Sequence, residues 1–199
     1  MIKVVFVEPS ISGNVGALAR VMKNFGLKKL YLVSPNTAID DVAYSRAMHA
    51  KDILENLEIV ESLNDVNCDV LIGTTAVYGG DYNLRRCAIT PEELAERINC
   101  VKGDIGIVFG RESSGLSNRE IDLCDIVVTV PTSEEYPTMN ITHAASIIFY
   151  EIFKRGGKWR RGCRVSTKKE REGILKDIEE ILNYIGYPEY KRKIFMTAV

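Results

Sequence analysis

Histidine and cysteine are both scarce here, and neither is arranged for chemistry. His49 and His143 are the only histidines, and the five cysteines, Cys68, Cys87, Cys100, Cys124 and Cys163, are scattered, odd in number and without a C-x-x-C pair. This argues against a metal site or a disulfide framework and for cysteines acting as small buried hydrophobes in a reducing compartment. Neither histidine lies in a nucleophile motif, so no catalytic triad is expected. Long apolar runs are also missing: none approaches the roughly 18 to 20 residues that a membrane span needs. The opening "MIKVVFVEPS" has no extended apolar region or small-residue cleavage site, and a cytoplasmic location is expected. The formal net charge of -1 argues against a protein that binds nucleic acid through its overall charge. Two phosphate signatures fail as well. "GRESSGLSN" (110–118) has no lysine after its second glycine, as a P-loop needs, and "EPSISGNVGALA" (8–19) lacks G-x-G-x-x-G spacing.

What is present reads as alternating strands and helices. With 46% hydrophobic and 27% charged residues in 199, the chain is long enough for one full α/β core and an appendage. "VVFV" (4–7) predicts a buried strand. Val15, Leu18, Met22 and Phe25 then fall at helical spacing, with Asn14 as a cap at the start and Gly26 as the stop. Further strands are predicted at 29–33, 57–60, 68–76, 104–110 and 125–131. Helices are predicted at 45–57, 90–98, 117–124, 140–153 and from Thr167 to Ile185, with a last one toward the chain end. Thr90 with Glu93, Ser117 with Glu120 and Thr167 with Glu170 have the spacing of capping boxes. The strongly apolar helix at 140–153, which contains His143, should be covered on both long faces, making that histidine structural. The stripe Ile174, Leu175, Ile178, Ile181, Leu182 and Ile185 has too few partners in the last helices to be buried by them alone.

This alternation predicts a mostly parallel sheet with helices on both faces, and ligands in such sheets sit beyond the C-terminal strand ends. That is where "EPSISGN", "GTTA", "GRESSG" and "PTSEEYPTMN" fall. Several glycine-containing loops without a phosphate-binding lysine suit a ligand held through base, ribose and amide-like groups, such as S-adenosylmethionine. The segment "KRGGKWRRGCRVSTKKER" (154–171) concentrates positive charge, with Glu170 as its only acid and Trp159 between Lys158 and Arg160. An aromatic among basic residues can stack on an unpaired base. Lys154, Arg155, Lys158, Trp159, Arg160, Arg161 and Arg164 are the candidate RNA contacts, although such a run can equally be a solvated linker.

Three segments carry a family resemblance. "NVGALARVMKNFG" (14–26), "VFGRESSGL" (108–116) and "VPTSEEYPTMNITHAASI" (130–147) resemble, in order, the motifs of the SPOUT RNA 2'-O-ribose methyltransferases, most closely the TrmJ type, which modifies the first nucleotide of the tRNA anticodon loop, position 32. The resemblance covers residues 1–155, leaving 156–199 as a basic linker and short helical extension. It implies a C-terminal trefoil knot, which topological rules speak against. It also implies S-adenosylmethionine as methyl donor with S-adenosylhomocysteine as product, no metal, a homodimer with composite sites, and a cytidine or uridine of tRNA as substrate. Matched onto this chain, Arg20 becomes the catalytic arginine, with Asn14, Glu112, Thr138 and Asn140 beside it. An arginine is a poor free base, so Arg20 is read as positioning phosphate and stabilising developing alkoxide. Glu112 is expected to orient Arg20 or the partner's loop. Thr74, Thr75, Ala76, Gly110, Gly115, Val130, Pro137, Thr138 and Met139 match cofactor positions, the two glycines letting backbone approach the ligand. Thr138-Met139-Asn140 departs from the family's usual Ser-Leu-Asn while keeping hydroxyl and apolar bulk. Another RNA such as rRNA, an RNA-binding protein without turnover, and a small-molecule enzyme with a nucleotide cofactor remain as alternatives.

Overall fold

A computed structural model describes residues 1–76, 88–98, 101–155 and 166–198. Its strands are β1 (Ile2–Val7), β2 (Lys29–Val33), β3 (Glu58–Val60), β4 (Val70–Thr74), β5 (Ala88–Ile89), β6 (Ile105–Phe109) and β7 (Ile126–Val128). They form one sheet in the order β3-β2-β1-β6-β4-β7-β5, every pair parallel, as the sequence predicts. In β1, Val4, Val5 and Phe6 are wholly buried, which is what an interior parallel strand requires. The register runs Val4↔Leu30 to β2 and Val4↔Ile107 to β6.

The helices are α1 (Ser12–Asn24), α2 (Asp41–Ala47), α3 (Lys51–Glu55), α4 (Pro91–Ile98), α5 (Asn118–Asp122), α6 (Ile141–Arg155), α7 (Lys168–Tyr184) and α8 (Glu189–Ala198). The pleat sorts side chains to two unequal faces. Val4 and Phe6 meet Val15, Leu18 and Met22 of α1, Leu94 of α4 and Phe149 of α6. Val5 and Val7 lie in a smaller cluster with Leu63, Val66, Leu116 and Ile121, beneath short elements only. Gly16 lets α1 lie against α2, because a Cβ there would come within 2.0 Å of the Ala43 carbonyl oxygen.

All three capping boxes form: Glu93 N donates to Thr90 Oγ1 at 3.2 Å, Glu120 N to Ser117 Oγ at 3.3 Å and Glu170 N to Thr167 Oγ1 at 3.3 Å. Other expectations fail for physical reasons. The helix predicted at 45–57 begins earlier, because Asp40 caps it by accepting from the amides of Val42 and Ala43, and it breaks at Met48, whose φ is 52°. Asn14 is not the cap of α1; that position is Ile11, with no side-chain cap of its own. The two-residue β5 was not predicted, being too short to show periodicity. Helix α6 is covered on one side only. Ala145, Ile148 and Phe149 are buried, with Phe149 edge-on to Phe25 and Phe109, while Ile147, Tyr150 and Phe153 are exposed. His143 is likewise exposed rather than structural.

Helix α7 starts at the N-terminal edge of the sheet, where Arg171 pairs with Asp125 at 2.8 Å and donates to the Asp69 carbonyl at 2.7 Å. Of its apolar stripe only Leu182 is buried, as the small number of helices foretold.

Candidate active site

The sheet order creates the site. From β1 the chain runs outward to β2 and β3, then crosses to place β4, and only later is β6 inserted between β1 and β4. At such a switch point the loops leaving neighbouring strands part in opposite directions and leave a crevice. A cleft of about 310 Å³ lies there. All nine residues matched to cofactor positions line it: Thr74, Thr75 and Ala76 after β4, Gly110 and Gly115 after β6, and Val130, Pro137, Thr138 and Met139 after β7. Thr74 Oγ1 donates to the Val108 carbonyl at 3.0 Å and Thr75 N to the Val128 carbonyl at 3.0 Å, so the end of β4 is pinned from both sides.

The two glycines have a nearer reason than close approach of a ligand. Arg111 and Gly115 exchange backbone hydrogen bonds at 2.9 and 3.2 Å, folding the loop back on itself. A Cβ on Gly110 would sit 2.1 Å from the Gly115 carbonyl carbon, and Gly115 has φ +68°. The turn itself therefore needs glycine at both positions.

Inside this loop is a side chain that motif matching missed. Arg111 bonds Glu8 through Nε at 2.9 Å and Nη2 at 2.5 Å, and Glu120 through Nη1 at 2.9 Å and Nη2 at 3.0 Å. The guanidinium fork thus ties the end of β1 to α5 across the cleft loop. Its own pKa is driven up, first by Glu120 and then by Glu8, and Arg111 in turn lowers that of Glu8. Glu120 is also held below the ordinary carboxyl range: burial opposes its charge, but Arg111 and the Ser117 amide outweigh it. Glu8 has φ 45°, an unusual conformation for a residue with a side chain. An arginine inside a glycine turn, with acids after β1 and in a capping box, was the available signal.

Glu112 points the other way. Its carboxylate accepts from Ser10 N at 3.1 Å, Ser10 Oγ at 2.9 Å, Ile11 N at 3.2 Å and Asn14 Nδ2 at 3.2 Å. It supplies, from across the sheet, the negative charge that α1 lacks at its own N-terminus. Burial would raise its pKa, yet hydrogen bonds from backbone amides, Asn14 and Ser10 bring it below the ordinary value. Asn14 Oδ1 in turn accepts from Asn140 Nδ2 at 3.3 Å, and Asn140 Oδ1 accepts from Thr142 N at 2.8 Å and Thr142 Oγ1 at 2.7 Å. One line, Glu112 to Asn14 to Asn140, joins the three motif segments. Arg20 is not on it. Within the single chain Glu112 does not reach Arg20: its carboxylate is taken up by the β1–α1 loop, and Arg20 is exposed and makes no hydrogen bond or ion pair with a described residue.

The candidate RNA contacts divide. Lys154 is exposed and pairs with Glu151 at 3.1 Å on its own helix. Arg155 is held by Glu92 at 2.7 Å and Glu96 at 2.5 Å, so it is engaged in docking α6 on α4 rather than offered outward. Lys158, Trp159, Arg160, Arg161 and Arg164 lie outside the described residues. Cys68 and Cys124 are free thiols that burial pushes up to about 11 and about 12, consistent with packing roles.

Known proteins resemble this chain in sequence and in fold. A tRNA (cytidine-2'-O-)-methyltransferase, TrmJ, of Methanocaldococcus jannaschii is 42% identical over 200 residues, covering 98% of this chain and 87% of that protein. The tRNA (cytidine/uridine-2'-O-)-methyltransferase TrmJ of Pectobacterium atrosepticum is 36% identical over 157 residues, covering 76% of this chain but only 63% of that longer protein. The crystal structure of TrmJ from Z. mobilis superposes with a TM-score of 0.76 at 26% identity, covering 99% of this chain and 87% of that one. The SpoU methyltransferase AviRb of Streptomyces viridochromogenes, in complex with AdoMet, shares the fold at a TM-score of 0.58 and 21% identity, covering 78% of this chain and 60% of that one. The SpoU rRNA Methylase family model matches residues 1–150. With the three motif segments joined by hydrogen bonds beside one cleft and that match spanning the domain that bears them, the chain belongs to the SpoU methylase family.

Proposed function

We propose that this chain transfers a methyl group from S-adenosylmethionine to a ribose 2'-OH of tRNA, at a cytidine or uridine in position 32 of the anticodon loop. The observation that carries this reading is the hydrogen-bonded line from Glu112 through Asn14 to Asn140, which joins the three motif segments, two of which line the cleft. The cleft fits the donor's chemistry. Its volume lies in the range of small-molecule sites, about 300 to 1,000 Å³. Leu116, Val128, Val130, Ile141 and Ile148 give an apolar wall suited to a heteroaromatic ring, and Thr74, Thr75, Ser113 and Ser114 bring hydroxyl and amide groups suited to ribose and amino acid. Its arginine, Arg111, is already neutralised by Glu8 and Glu120, which leaves it poorly placed to hold a triphosphate.

The donor supplies an electrophilic methyl on a cationic sulfur, which needs no metal to make it reactive. The chain's part is to hold and orient. Glu112 stays ionised and fixes the loop before α1. Asn140, whose Oδ1 is engaged by Thr142, keeps the loop after β7 in register with α1. Arg20, which pairs with no described residue of its own chain, holds an RNA phosphate and stabilises the developing 2'-alkoxide. Because it lies six residues beyond Asn14, about 9 Å along the helix axis, we assign it to the site of a second copy. The exposed Ile147, Tyr150 and Phe153 on α6 and Ile11 beside α1 support such a homodimer. We read the half of the sheet from β4 to α6 as the trefoil-knotted part of the SPOUT fold, residues 1–155 as the catalytic domain, and 156–199 as a basic linker and helical extension that adds to the tRNA surface. Among the described residues, no helix is long and apolar enough to cross a membrane.

The test is transfer of labelled methyl from S-adenosylmethionine to unmodified tRNA, with the modified nucleotide mapped, for the wild type and Arg20→Ala. We expect methylation at position 32 that falls about 10²- to 10³-fold in the variant while donor affinity is kept. Donor binding without transfer to any RNA would overturn the reading.

A further inference from the structure

One aromatic side chain beside the cleft is largely uncovered. Tyr136 is 78% exposed. The other exposed aromatics among the described residues, Tyr150, Phe153, Tyr184 and Phe195, project from α6, α7 and α8, where a packed helix could cover them. Tyr136 instead belongs to the loop between β7 and α6 and immediately precedes Pro137, Thr138 and Met139, which line the cleft. That loop is held in shape. Thr132 Oγ1 donates to the Pro137 carbonyl at 3.0 Å, Tyr136 N to the Ser133 carbonyl at 3.2 Å and Glu135 N to Ser133 Oγ at 3.3 Å, with Pro131 and Pro137 at its ends. A tyrosine has only two side-chain torsions to freeze, so a ring on such a backbone loses little entropy when something settles on it.

Charge narrows what that something is. Glu134 and Glu135, both exposed, stand directly before Tyr136. Two carboxylates repel a phosphate but do not oppose the neutral face of a base, and a carboxylate can accept from the exocyclic amino group of cytosine. Unpaired bases in RNA are commonly held by stacking on aromatic side chains. We propose that Tyr136 is the platform on which the base of the target nucleotide stacks while its ribose enters the cleft, with the phosphate turned away from Glu134 and Glu135. This rests on the methyl-transfer reading above.

The test uses the full chain, S-adenosylmethionine and an anticodon stem-loop RNA, intact or with an abasic ribonucleotide at the target position. Tyr136→Ala should raise KM for the intact RNA about tenfold while kcat, donor affinity and oligomeric state are unchanged, and Tyr136→Phe should restore the wild-type KM. The abasic substrate should cost the wild type about the same factor and the alanine variant nothing further. An unchanged KM in Tyr136→Ala, a phenylalanine variant as poor as alanine, or an abasic penalty that persists in the alanine variant would each overturn the proposal. So would a change of oligomeric state, which would show the ring to be covered by a second copy. If the wild type transferred no methyl to RNA, the underlying function would fall too; transfer with an unmoved KM would remove Tyr136 alone.

Discussion

The two ends of the sheet are both crowded with charge but use it differently. At the N-terminal edge, groups cancel one another: the Met1 amine and Lys3 both pair with Asp104 at 2.9 Å, Asp69 accepts from Asp104 N at 2.9 Å, and Asp125 accepts from Leu71 N at 2.8 Å while pairing with Arg171. At the C-terminal edge, Arg111 with its two glutamates and Glu112 with Ser10 and Asn14 fix the loops around a cleft, while Tyr136 stays uncovered. One end closes the fold. The other holds backbone and side chains still so that a ligand can be met without rearrangement, and that difference should appear when each network is cut.

Among these networks, the largest effect is expected at Glu112. Glu112→Ala removes the acceptor of four hydrogen bonds and leaves the Ser10 and Ile11 amides beside an emptied space. Methyl transfer should fall about a hundredfold, and stability by about 1 to 3 kcal/mol, measured by single-turnover kinetics and denaturant unfolding. Glu112→Gln, which keeps an oxygen but not the charge, should lose less stability than alanine. If both variants turned over normally, the C-terminal network would be scaffolding like its counterpart.

A pH series sharpens the contrast. Glu8, Glu112 and Glu120 are all lowered from 4.5. A carboxyl lowered on folding contributes stability that is complete above its unfolded value and lost as pH falls through the folded one. Arg111→Met should therefore open a gap in unfolding free energy relative to the wild type, read by denaturant unfolding, steady above about pH 5, that closes as the pH drops below the ordinary carboxyl range. Because Glu8 and Arg111 keep some contact with water, the gap should amount to only about 1 to 2 kcal/mol. A gap that did not change with pH would mean that Arg111 acts by packing alone.

These networks also mark how far the sequence could be read. Continuous apolar runs told of strands buried on both faces, and three capping boxes told where α4, α5 and α7 begin, because each signal lies within a few residues. The grip of Glu112 on Ser10 and Ile11 spans about a hundred residues, and Arg111 reaches Glu8 across 103 and Glu120 across only 9. Nothing local announces the long-range pairings, so Glu112 was assigned to Arg20 or the partner's loop and Arg111 to no role. The exposed side of α6 was misread for a related reason: apolar spacing shows that a face wants cover but not whether this chain provides it. All nine positions matched to the cofactor do line the cleft, since each lies just beyond a strand and the parallel sheet brings those ends together.

The smallest effect should come from the closed end. Arg171 joins α7 to the sheet through Asp125 and the Asp69 carbonyl, and it also donates to the Ser166 carbonyl at 2.6 Å. About a quarter of its side chain remains exposed, and Asp125 keeps its bond from Leu71 N when the arginine is gone. Arg171→Ala should therefore cost about 1 kcal/mol or less, with faster amide exchange across 168–184 and no change in donor affinity or in single-turnover rate. That outcome would show that the N-terminal network holds the extension to the domain without reaching the chemistry. A slowed methyl-transfer step with RNA saturating would instead mean that α7 acts on the cleft from the far side of the sheet, and the division between a closing end and a working end would have to be abandoned.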